Sequence, residues 1–357
     1  MTETGTPREH GYRMPAELAE HAATWIAWPH NANDWPGKFQ AIPWVYTDIV
    51  RHLSRVEDVH ILVNDAAAEK RAKGILKRSA ANLARVHFHQ WPTNRVWTRD
   101  SGPIFIKNPQ GQLAITNWKF NAWAKYDNWQ LDNQVPDHVA EELRLPQWTP
   151  MIGGHRVVLE GGSIDVNGAG TLITTEECLL SEVQQRNPGI SREQLEQVFH
   201  DYLGIDQVIW LNRGIAGDDT HGHVDDITRF VNENTIVTVT EPNRDDENHL
   251  PLAENLDRLR SARNPDGQPF RIIELPMPGP VIFDGQRLPA SYGNFYIANK
   301  LVLVPTFNDP NDRRALNILA ELFPNREIAG IHCGDFIWGL GALHCMTQQQ
   351  PLSSTPF

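Results

Sequence analysis

The segment GDDTHGHVDD, residues 217–226, contains two histidines and four aspartates within ten residues. Such side chains can ligate a metal ion, or can exchange protons with a substrate without any metal. We predict that its THGHVDD part is a β-strand, in which alternating side chains place His221, His223 and Asp225 on one face. The segment is therefore the first candidate for a site, and its chemistry is open between these two alternatives.

A zinc site is one alternative, because a His-x-His pair on a strand is the first ligand pair of many zinc-dependent amidohydrolases. In those enzymes the pair lies on the first strand of a barrel, and further histidines and an aspartate follow at strand ends. Here the pair lies past the middle of the chain, and His249, His332 and His344 do not form such a ligand set. We therefore expect neither a metal nor another cofactor, and keep a zinc-dependent amidohydrolase as an alternative.

A metal-free site needs a nucleophile beside His223 and Asp225, and the segment GLGALHCMTQQQ offers the thiol of Cys345. His223 would then be a general acid or base, and Asp225 its charged partner or a clamp for the substrate. A lone cysteine more often packs as a small apolar side chain. Cys345, however, lies among glycine, amide and hydroxyl residues, whereas Cys178 and Cys333 lie near no comparable cluster and are interpreted as structural.

Two further carboxylates follow predicted strands. Asp100 lies in VWTRDSGP near Trp97, which can stack on a cation, and Glu160 ends an apolar strand, where a charge needs a partner. Carboxylates that converge beside a thiol repel an anion and hold a planar cation. A guanidinium fits best, because its five N–H donors form a fixed fork. Attack on its carbon neutralises charge and needs no oxyanion hole. We therefore predict a small cationic guanidino substrate.

These side chains must be positioned by an α/β fold, because short β-like runs alternate with helical patterns along the chain. Apolar residues at helical spacing predict helices over residues 44–55, 192–203, 252–264 and 312–323. No proline-, glycine- or serine-rich linker and no block of charge divides the chain. We therefore predict a single catalytic domain over residues 1–357, although the length alone would suggest two.

The strand pattern also repeats loosely, since a polar residue precedes an extended run, which turns and is followed by a second run. These units begin 60 to 72 residues apart, at Trp28, Asp100, Glu160, His223 and Asn294. Cys345 follows 51 residues after the last of them. Such spacing predicts similar supersecondary units around an axis, each of which delivers one polar residue to a shared centre.

The bulk composition argues against several partners. A formal net charge of −12 disfavours nucleic acid, whose phosphates need a basic surface. No apolar run approaches the ~20 residues of a membrane helix, and the polar start MTETGTPREHGYRMPAE predicts no signal peptide. Three scattered cysteines predict no disulfide framework, so we expect a cytoplasmic protein. The apolar composition permits a homodimer.

Seven segments, in chain order, carry a family resemblance: MPAELAEHAATWIAWPHN, WTRDSGP, LEGGSIDVNGAGTLITTEECLL, GHVDD, ASYGNFYIAN, VPTFNDPND and LGALHCMTQQQP. They resemble the agmatine deiminase family, also called the Porphyromonas-type peptidyl-arginine deiminase family, within the guanidine-modifying pentein superfamily. The resemblance covers about residues 14–351. It implies a five-bladed α/β-propeller built from pseudo-fivefold ββαβ-type repeats, in agreement with the repeat described above.

The resemblance also implies a metal-free hydrolysis through a covalent intermediate. Cys345 would attack the guanidinium carbon, ammonia would leave, and water would release the ureido product from a Cys-linked amidino (thiouronium) group. His223 would protonate the ammonia and activate the water, while Asp100 and Asp225 would grip the guanidinium nitrogens. Glu160 would support the guanidinium or the histidine. The site would also contain Asn294, as a polar residue, and Trp97, as a wall of the pocket.

The substrate that the resemblance implies is agmatine, converted to N-carbamoylputrescine and ammonia in putrescine and polyamine biosynthesis. The peptidyl-arginine branch holds a substrate carboxylate with arginines about twenty residues after the position of Asp100, where this chain reads WKFNAWAKYDNW. A distal ammonium would need acids instead, for which Asp218 and Asp219 are candidates. Lys125 and His221 depart from the usual pattern, so arginine, peptidyl-arginine or another guanidino compound is an alternative substrate. A non-catalytic binding protein is a further alternative, because a ribosome-associated translation factor has the same propeller.

Overall fold

The structure, a computed structural model, describes residues 5–354 and has a mixed α/β architecture. The four helices predicted from the sequence are present, each within three residues of its predicted ends. The helix over 192–203 shows why, because Ser191 and Gln194 form a capping box at its start and Gly204 ends it with a φ of 68°. The helices are α1 (Ile42–Leu53), α2 (Ala66–Leu76), α3 (Thr98–Ser101), α4 (Val135–Glu142), α5 (Glu176–Leu180), α6 (Arg192–Leu203), α7 (His249–Ser261) and α8 (Asn311–Leu322).

The strands are short, and those at the centre of a sheet are mostly buried, β5 and β10 along their whole length. In β10 even the threonines are buried, and the Thr174 hydroxyl donates to the Ser163 carbonyl at 2.8 Å, so that no polar atom of that side chain lacks a partner. The strands are β1 (His21–Ala27), β2 (Asp58–Leu62), β3 (Val86–His89), β4 (Ile104–Lys107), β5 (Leu113–Thr116), β6 (Gln147–Trp148), β7 (Met151–Ile152), β8 (His155–Arg156), β9 (Asp165–Val166), β10 (Thr171–Thr175), β11 (Gln207–Leu211), β12 (Thr228–Asn232), β13 (Thr235–Thr240), β14 (Arg271–Pro276), β15 (Ile282–Phe283), β16 (Gln286–Arg287), β17 (Tyr296–Ala298), β18 (Leu301–Thr306), β19 (Glu327–His332) and β20 (Gln348–Pro351).

Five sheets share one pairing pattern, in which the first strand is antiparallel to the second and the second is parallel to the third. Their strand orders are β4-β5-β6, β9-β10-β11, β12-β13-β14, β17-β18-β19 and β20-β1-β2-β3. The repeat expected from the sequence is therefore present as a repeat of sheets. Two small hairpins, β7-β8 and β15-β16, lie outside this pattern.

One polar residue precedes the first strand of each of the five sheets by two to five positions. These residues are Asp100, Glu160, His223, Asn294 and Cys345. The prediction that Trp28 begins a unit was wrong, because Trp28 follows β1, which is the second strand of its sheet. Cys345 takes that place instead, since β20 is the first strand of the same sheet.

The fifth sheet joins the two ends of the described chain. Strand β20 pairs antiparallel with β1, and the Trp25 indole N–H donates to Gln350 Oε1 at 2.9 Å across 325 residues of sequence. Trp25, Trp35 and Tyr46 are buried beside this sheet in the largest apolar core. Within residues 5–354, no helix combines the length and the apolar character needed to cross a membrane.

Candidate active site

The predicted residues lie at and behind one cavity of about 340 Å³. Cys345 and Asp100 line it, both buried, together with the indole side chains of Trp97 and Trp123. The other lining residues are Asn31, Asn33, Asp34, Arg95, Tyr126, Asn128, Asp219, Thr220, Gly339, Leu340 and Gly341. A thiol and a carboxylate therefore face the same space between aromatic walls.

Asn294 and Asp225 hold the thiol of Cys345. The Asn294 amide Nδ2 lies 3.1 Å from Cys345 Sγ, and its Oδ1 accepts the backbone N–H of His344 at 2.9 Å. Asp225 Oδ2 lies 3.7 Å from the same sulfur. Burial, followed by the negative charges of Asp225 and Asp226, raises the pKa of the Cys345 thiol well above its usual value. A raised pKa favours the protonated thiol in the resting site.

His223 lies among three carboxylates and is fully buried. Its Nδ1 is 3.7 Å from Asp100 Oδ1 and 4.0 Å from Asp225 Oδ1, and its Nε2 is 3.7 Å from Glu160 Oε2. Burial opposes a charge here, but the nearby acids, Asp100 above all, raise the pKa of His223 well above its usual value. The ring is therefore an imidazolium, and neither ring nitrogen makes a hydrogen bond of good geometry to the described residues.

Asp100 is fixed from both sides of its carboxylate. The Trp123 indole N–H donates to Oδ2 at 2.9 Å, and the Gly162 backbone N–H donates to Oδ1 at 3.1 Å. A Cβ at Gly162 would lie 2.6 Å from His223 Nδ1 and 2.7 Å from Asp100 Oδ1, so only glycine permits this close approach. Burial raises the pKa of Asp100 to about 6, with a further contribution from the charge of Asp225.

Glu160 has the buried cationic partner that its position in the sequence required. The Arg186 Nε–H donates to Glu160 Oε1 at 3.1 Å, and both side chains are fully buried. Burial raises the pKa of Glu160, but the charge of Arg186 outweighs it and brings the pKa to about 2. Arg186 also donates to the backbone carbonyl of Thr220, so the pair connects Glu160 to the loop that precedes His223.

We expect Arg186→Met to lower the free energy of unfolding by about 3–5 kcal/mol, because Glu160 would keep a buried charge without its partner. Denaturant unfolding monitored by tryptophan fluorescence measures this loss. The double variant Glu160→Gln/Arg186→Met should recover part of it, since no charge is then left uncompensated. A single-variant loss below about 1 kcal/mol would contradict the role of the ion pair.

The predicted strand over THGHVDD is wrong, because strand β12 begins only at Thr228 and residues Val224–Asp226 form a 3₁₀ turn. His221 has a φ of 63°, and its Nε2 approaches Ser181 Oγ at 3.2 Å, away from the cavity lining. His223 and Asp225 still converge, but through the turn and not through strand alternation. In this turn a side-chain carboxylate accepts the backbone N–H groups, which a neighbouring strand would accept in a sheet.

That carboxylate belongs to Asp218. Its Oδ2 accepts the backbone N–H groups of Gly222 at 2.7 Å and His223 at 3.1 Å, and it does not line the cavity. Asp219 does line the cavity, where Lys125 Nζ and the Tyr126 hydroxyl, at 2.7 Å, bind its two oxygens. The two neighbouring acids therefore differ, since one organises the loop and the other faces the ligand space.

A buried ion network behind the site was not predicted from the sequence. His344 Nδ1 lies 2.6 Å from Asp225 Oδ2, and its Nε2 lies 2.7 Å from Glu17 Oε2. Glu17 also forms ion pairs with Arg229 at 2.9 Å and with Arg99 at 3.2 Å. Burial opposes ionisation of these acids, yet the cations lower the pKa of both Glu17 and Asp225. The network therefore keeps Asp225 ionised beside the thiol.

Two other residues of the site were missed. The Asn294 amide also donates to Asp226 Oδ1 at 2.9 Å. Burial raises the pKa of Asp226 well above its usual value. Cys178 was interpreted as lying near no cluster, which is wrong, because its sulfur lies within 4.8 Å of ligand atoms of Glu160 and His223. The doubled acid in GHVDD was a signal for Asp226, whereas the segment TTEECLL gave no signal for Cys178.

A left-handed turn places Trp123 over the cavity. Ala122, Trp123 and Ala124 have φ values of 50°, 58° and 53°, which non-glycine residues rarely adopt in succession. The Asn121 side chain stabilises the turn by accepting the Ala124 backbone N–H at 2.9 Å. Strain of this kind is retained where a side chain must be aimed, and here it directs the Trp123 indole at Asp100.

A buried cysteine, an imidazolium and several acids around one cation-sized cavity define a thiol site on a repeated α/β scaffold. The sequence model of the Porphyromonas-type peptidyl-arginine deiminase family matches residues 13–351. The chain is 35% identical to an agmatine deiminase of Pseudomonas syringae pv. tomato, over 98% of both chains. The chain belongs to this deiminase family.

Solved structures agree with this assignment. An agmatine deiminase of Enterococcus faecalis superposes with a TM-score of 0.90 at 29% identity, covering 98% of this chain and 99% of the other. A Cys-to-Ser variant of C. jejuni agmatine deiminase with substrate bound gives a TM-score of 0.85 at 30% identity, covering 96% and 97%. The overall fold is therefore that of these deiminases.

Proposed function

We propose that the protein hydrolyses agmatine to N-carbamoylputrescine and ammonia. The observation that carries this proposal is the charge of the cavity, supported by the agmatine deiminase relatives. Three carboxylates line it, Asp34, Asp100 and Asp219, against the guanidinium of Arg95 and, at Asp219, the partly exposed ammonium of Lys125. Arg95 is itself paired with Asp34 at 3.1 Å, so it is not free to hold a substrate carboxylate. A ligand with two cationic ends suits such a cavity better than arginine does.

The guanidinium end binds between Asp100 and Asp225. Asp225 Oδ1 is buried without a hydrogen-bond partner among the described residues, and a guanidinium N–H would supply one. Trp97 and Trp123 would cover the planar cation from its faces. The bound positive charge also stabilises the thiolate of Cys345, so the thiol proton is released to solvent as the substrate binds.

The first chemical step joins Cys345 Sγ to the guanidinium carbon and gives a neutral tetrahedral adduct. The His223 imidazolium then donates its proton to one NH₂ group, and the C–N bond breaks to release ammonia. The product is an amidino (thiouronium) group on Cys345, which carries the positive charge. His223 is already protonated in the resting site, as this step requires.

Water completes the reaction. The neutral His223 accepts a proton from a water molecule as its oxygen bonds to the amidino carbon. The C–S bond then breaks and the hydroxyl proton of the adduct passes to solvent, while the departing thiolate of Cys345 and the released ammonia each take up a proton from solvent. The sum is agmatine and water in, N-carbamoylputrescine and an ammonium ion out. Glu160 holds the imidazolium through its 3.7 Å contact with Nε2.

A zinc ion held by Glu160, Cys178 and His223 is disfavoured by the cation already present. The ligand atoms of Glu160, Cys178 and His223 lie within 4.8 Å of one another, close enough to surround an ion. However, Arg186 binds both oxygens of Glu160, and a divalent ion there would face a buried guanidinium. Asp100 and Glu160 also raise the pKa of His223 and so favour its protonated form. A histidine that ligates a metal must be neutral.

Ammonia release from a panel of guanidines tests the proposed function. The panel contains agmatine, free arginine, a peptide with a C-terminal arginine, and n-butylguanidine, which lacks the distal ammonium. Agmatine should have the highest kcat/KM. A higher value for arginine or the peptide would move the protein to another branch of the family, and no release from any of the four would reject the proposal.

We expect the fall of kcat/KM for agmatine with decreasing pH to steepen by about a further tenfold per pH unit below pH 6, in addition to the slope that release of the Cys345 thiol proton gives throughout the profile. Burial raises the pKa of Asp100 to about 6, so the carboxylate that grips the guanidinium is lost by protonation as the pH falls through that value. A pH profile from 5 to 8 measures this, with activity restored on return to pH 7 as the control for unfolding. A slope that does not change around pH 6 would contradict the role of Asp100.

We also propose that the whole described chain is one catalytic domain and that its five sheets are the blades of a five-bladed propeller. The identical strand pairing in each sheet supports this arrangement, as does the position of one site residue before each first strand. The predicted homodimer stays a prediction, and light scattering on the purified protein measures its mass.

A further inference from the structure

We propose that Lys125 is a specificity-determining residue, whose ammonium occupies the place that the distal ammonium of the substrate takes on binding. The inference rests on the proposed function, because it names how that substrate's far end is recognised. Lys125 Nζ is bound to Asp219 Oδ1, and the Tyr126 hydroxyl donates to Oδ2 at 2.7 Å. An alkylammonium on a carboxylate is the contact that a diamine-like substrate would make there.

Asp219 lies at a suitable place for the far end of the substrate. It lines the cavity that Asp100 and Cys345 also line. One residue connects the two ends, because the Trp123 indole donates to Asp100 while its backbone carbonyl accepts the Gln184 amide at 3.1 Å. The same Gln184 amide donates to the Asp219 carbonyl at 3.1 Å. The two acids are therefore held in a fixed relation on either side of one tryptophan.

Asp34 is the other acid that lines the cavity away from the thiol, and it already has hydrogen-bond partners. Its Oδ1 receives Arg95 at 3.1 Å and the Asn31 amide at 3.0 Å, and its side chain is only 4% exposed. Asp219 is more accessible, and its cationic partner Lys125 has a side chain that is 39% exposed. An ion pair with a solvent-exposed lysine is weak, and the flexible lysine can move into water. Asp219 is thus the acid whose partner a substrate can replace.

The left-handed turn keeps Lys125 at this position. Lys125 follows directly on Ala122–Ala124, and its backbone N–H donates to the Ala122 carbonyl at 3.0 Å. The turn therefore aims Trp123 at Asp100 and presents Lys125 and Tyr126 to Asp219. Lys125 acts as a tethered competitor, which weakens binding of a guanidine with a distal ammonium and leaves one without it unaffected.

Steady-state ammonia release from agmatine and n-butylguanidine tests the inference. In Lys125→Met, the KM for agmatine should fall about 2–5-fold, the size expected for a partly exposed ion pair, with kcat unchanged. The KM for n-butylguanidine should stay the same. In Asp219→Asn, the KM for agmatine should rise. Adding Lys125→Met to that variant should have no further effect, because the carboxylate with which Lys125 pairs is then absent.

Lys119→Met is the matched control, since it removes the same charge from the same segment. Lys119 Nζ lies 5.6 Å from the centre of the Trp129 ring and does not line the cavity. Equal changes in KM for both guanidines in Lys125→Met, or a rise in the KM for agmatine, would overturn the inference. If the native protein turns over neither guanidine, the proposed function itself fails; if it turns over both and their KM ratio is the same in Lys125→Met, only the inference about Lys125 fails.

Discussion

Replacing Cys345 by alanine should reduce ammonia release from agmatine by roughly 10⁴-fold or more while agmatine still binds. The thiol is the nucleophile of the proposed reaction, and within the described chain no other thiol lines the cavity. The acids that would grip the cation stay in place, because Asp100 is held by Trp123 and Gly162, and Asp225 by His344. Turnover is measured by ammonia release, and binding by the fluorescence of the cavity tryptophans.

Cys333→Ala is the matched control for this loss. Cys333 is also buried, but it packs in the apolar core, and its backbone N–H donates to Thr306. Its replacement should cost some stability and leave turnover near the native level. Zinc chelators should leave the native rate unchanged. A loss of less than about 10²-fold in Cys345→Ala, or inactivation by chelators with recovery on adding zinc, would reject the thiol mechanism.

His223→Asn should lower kcat by about 10²–10⁴-fold, because one side chain both protonates the leaving ammonia and activates the water. Both half-reactions would slow, so a single-turnover experiment should show slow ammonia release. Mass spectrometry of quenched samples should detect the amidino adduct on Cys345 wherever the second step is the slower one. The effect is specific to the site, because His223 is buried among Asp100, Asp225 and Glu160.

The neighbouring histidine provides the comparison. His221 lies two residues earlier with a left-handed backbone, which asparagine tolerates, and its ring faces Ser181. His221→Asn should therefore retain nearly the native rate. Equal losses in both variants would indicate that the loop, and not the imidazolium of His223, is what catalysis needs.

The sequence predicted four of the eight helices of the described chain, because apolar periodicity is set by burial and burial is what forms these elements. It also indicated Asp100, Glu160, His223 and Asn294, since a polar residue just before an apolar strand stands out from its surroundings. Cys345 was indicated because it lies among glycine, amide and hydroxyl residues. The prediction failed at THGHVDD, where alternation suggested a strand. The Asp218 carboxylate instead binds the Gly222 and His223 N–H groups and so removes them from any strand ladder.

The network behind the site could not be predicted for a different reason. Glu17 lies in MPAELAEH and Arg186 in QQRNPG, segments that read as solvent-exposed. Both are buried, because each finds an opposite charge that is distant in sequence: His344 is 327 residues from Glu17, and Arg186 is 26 from Glu160. Pairing over such distances depends on how the sheets are placed, and no local pattern records it.

The pairing of β20 with β1 has a consequence for the order of folding. Asp100, Glu160 and His223 precede sheets that each form from one continuous stretch of chain, whereas the thiol precedes a strand that must find its partner 325 residues away. Contacts of large sequence separation form late, because closing the loop costs entropy before the contact repays it. We expect a refolding chain to place Asp100, Glu160 and His223 first and to bring Cys345 into the site last. Recovery of turnover should then lag behind recovery of native tryptophan fluorescence.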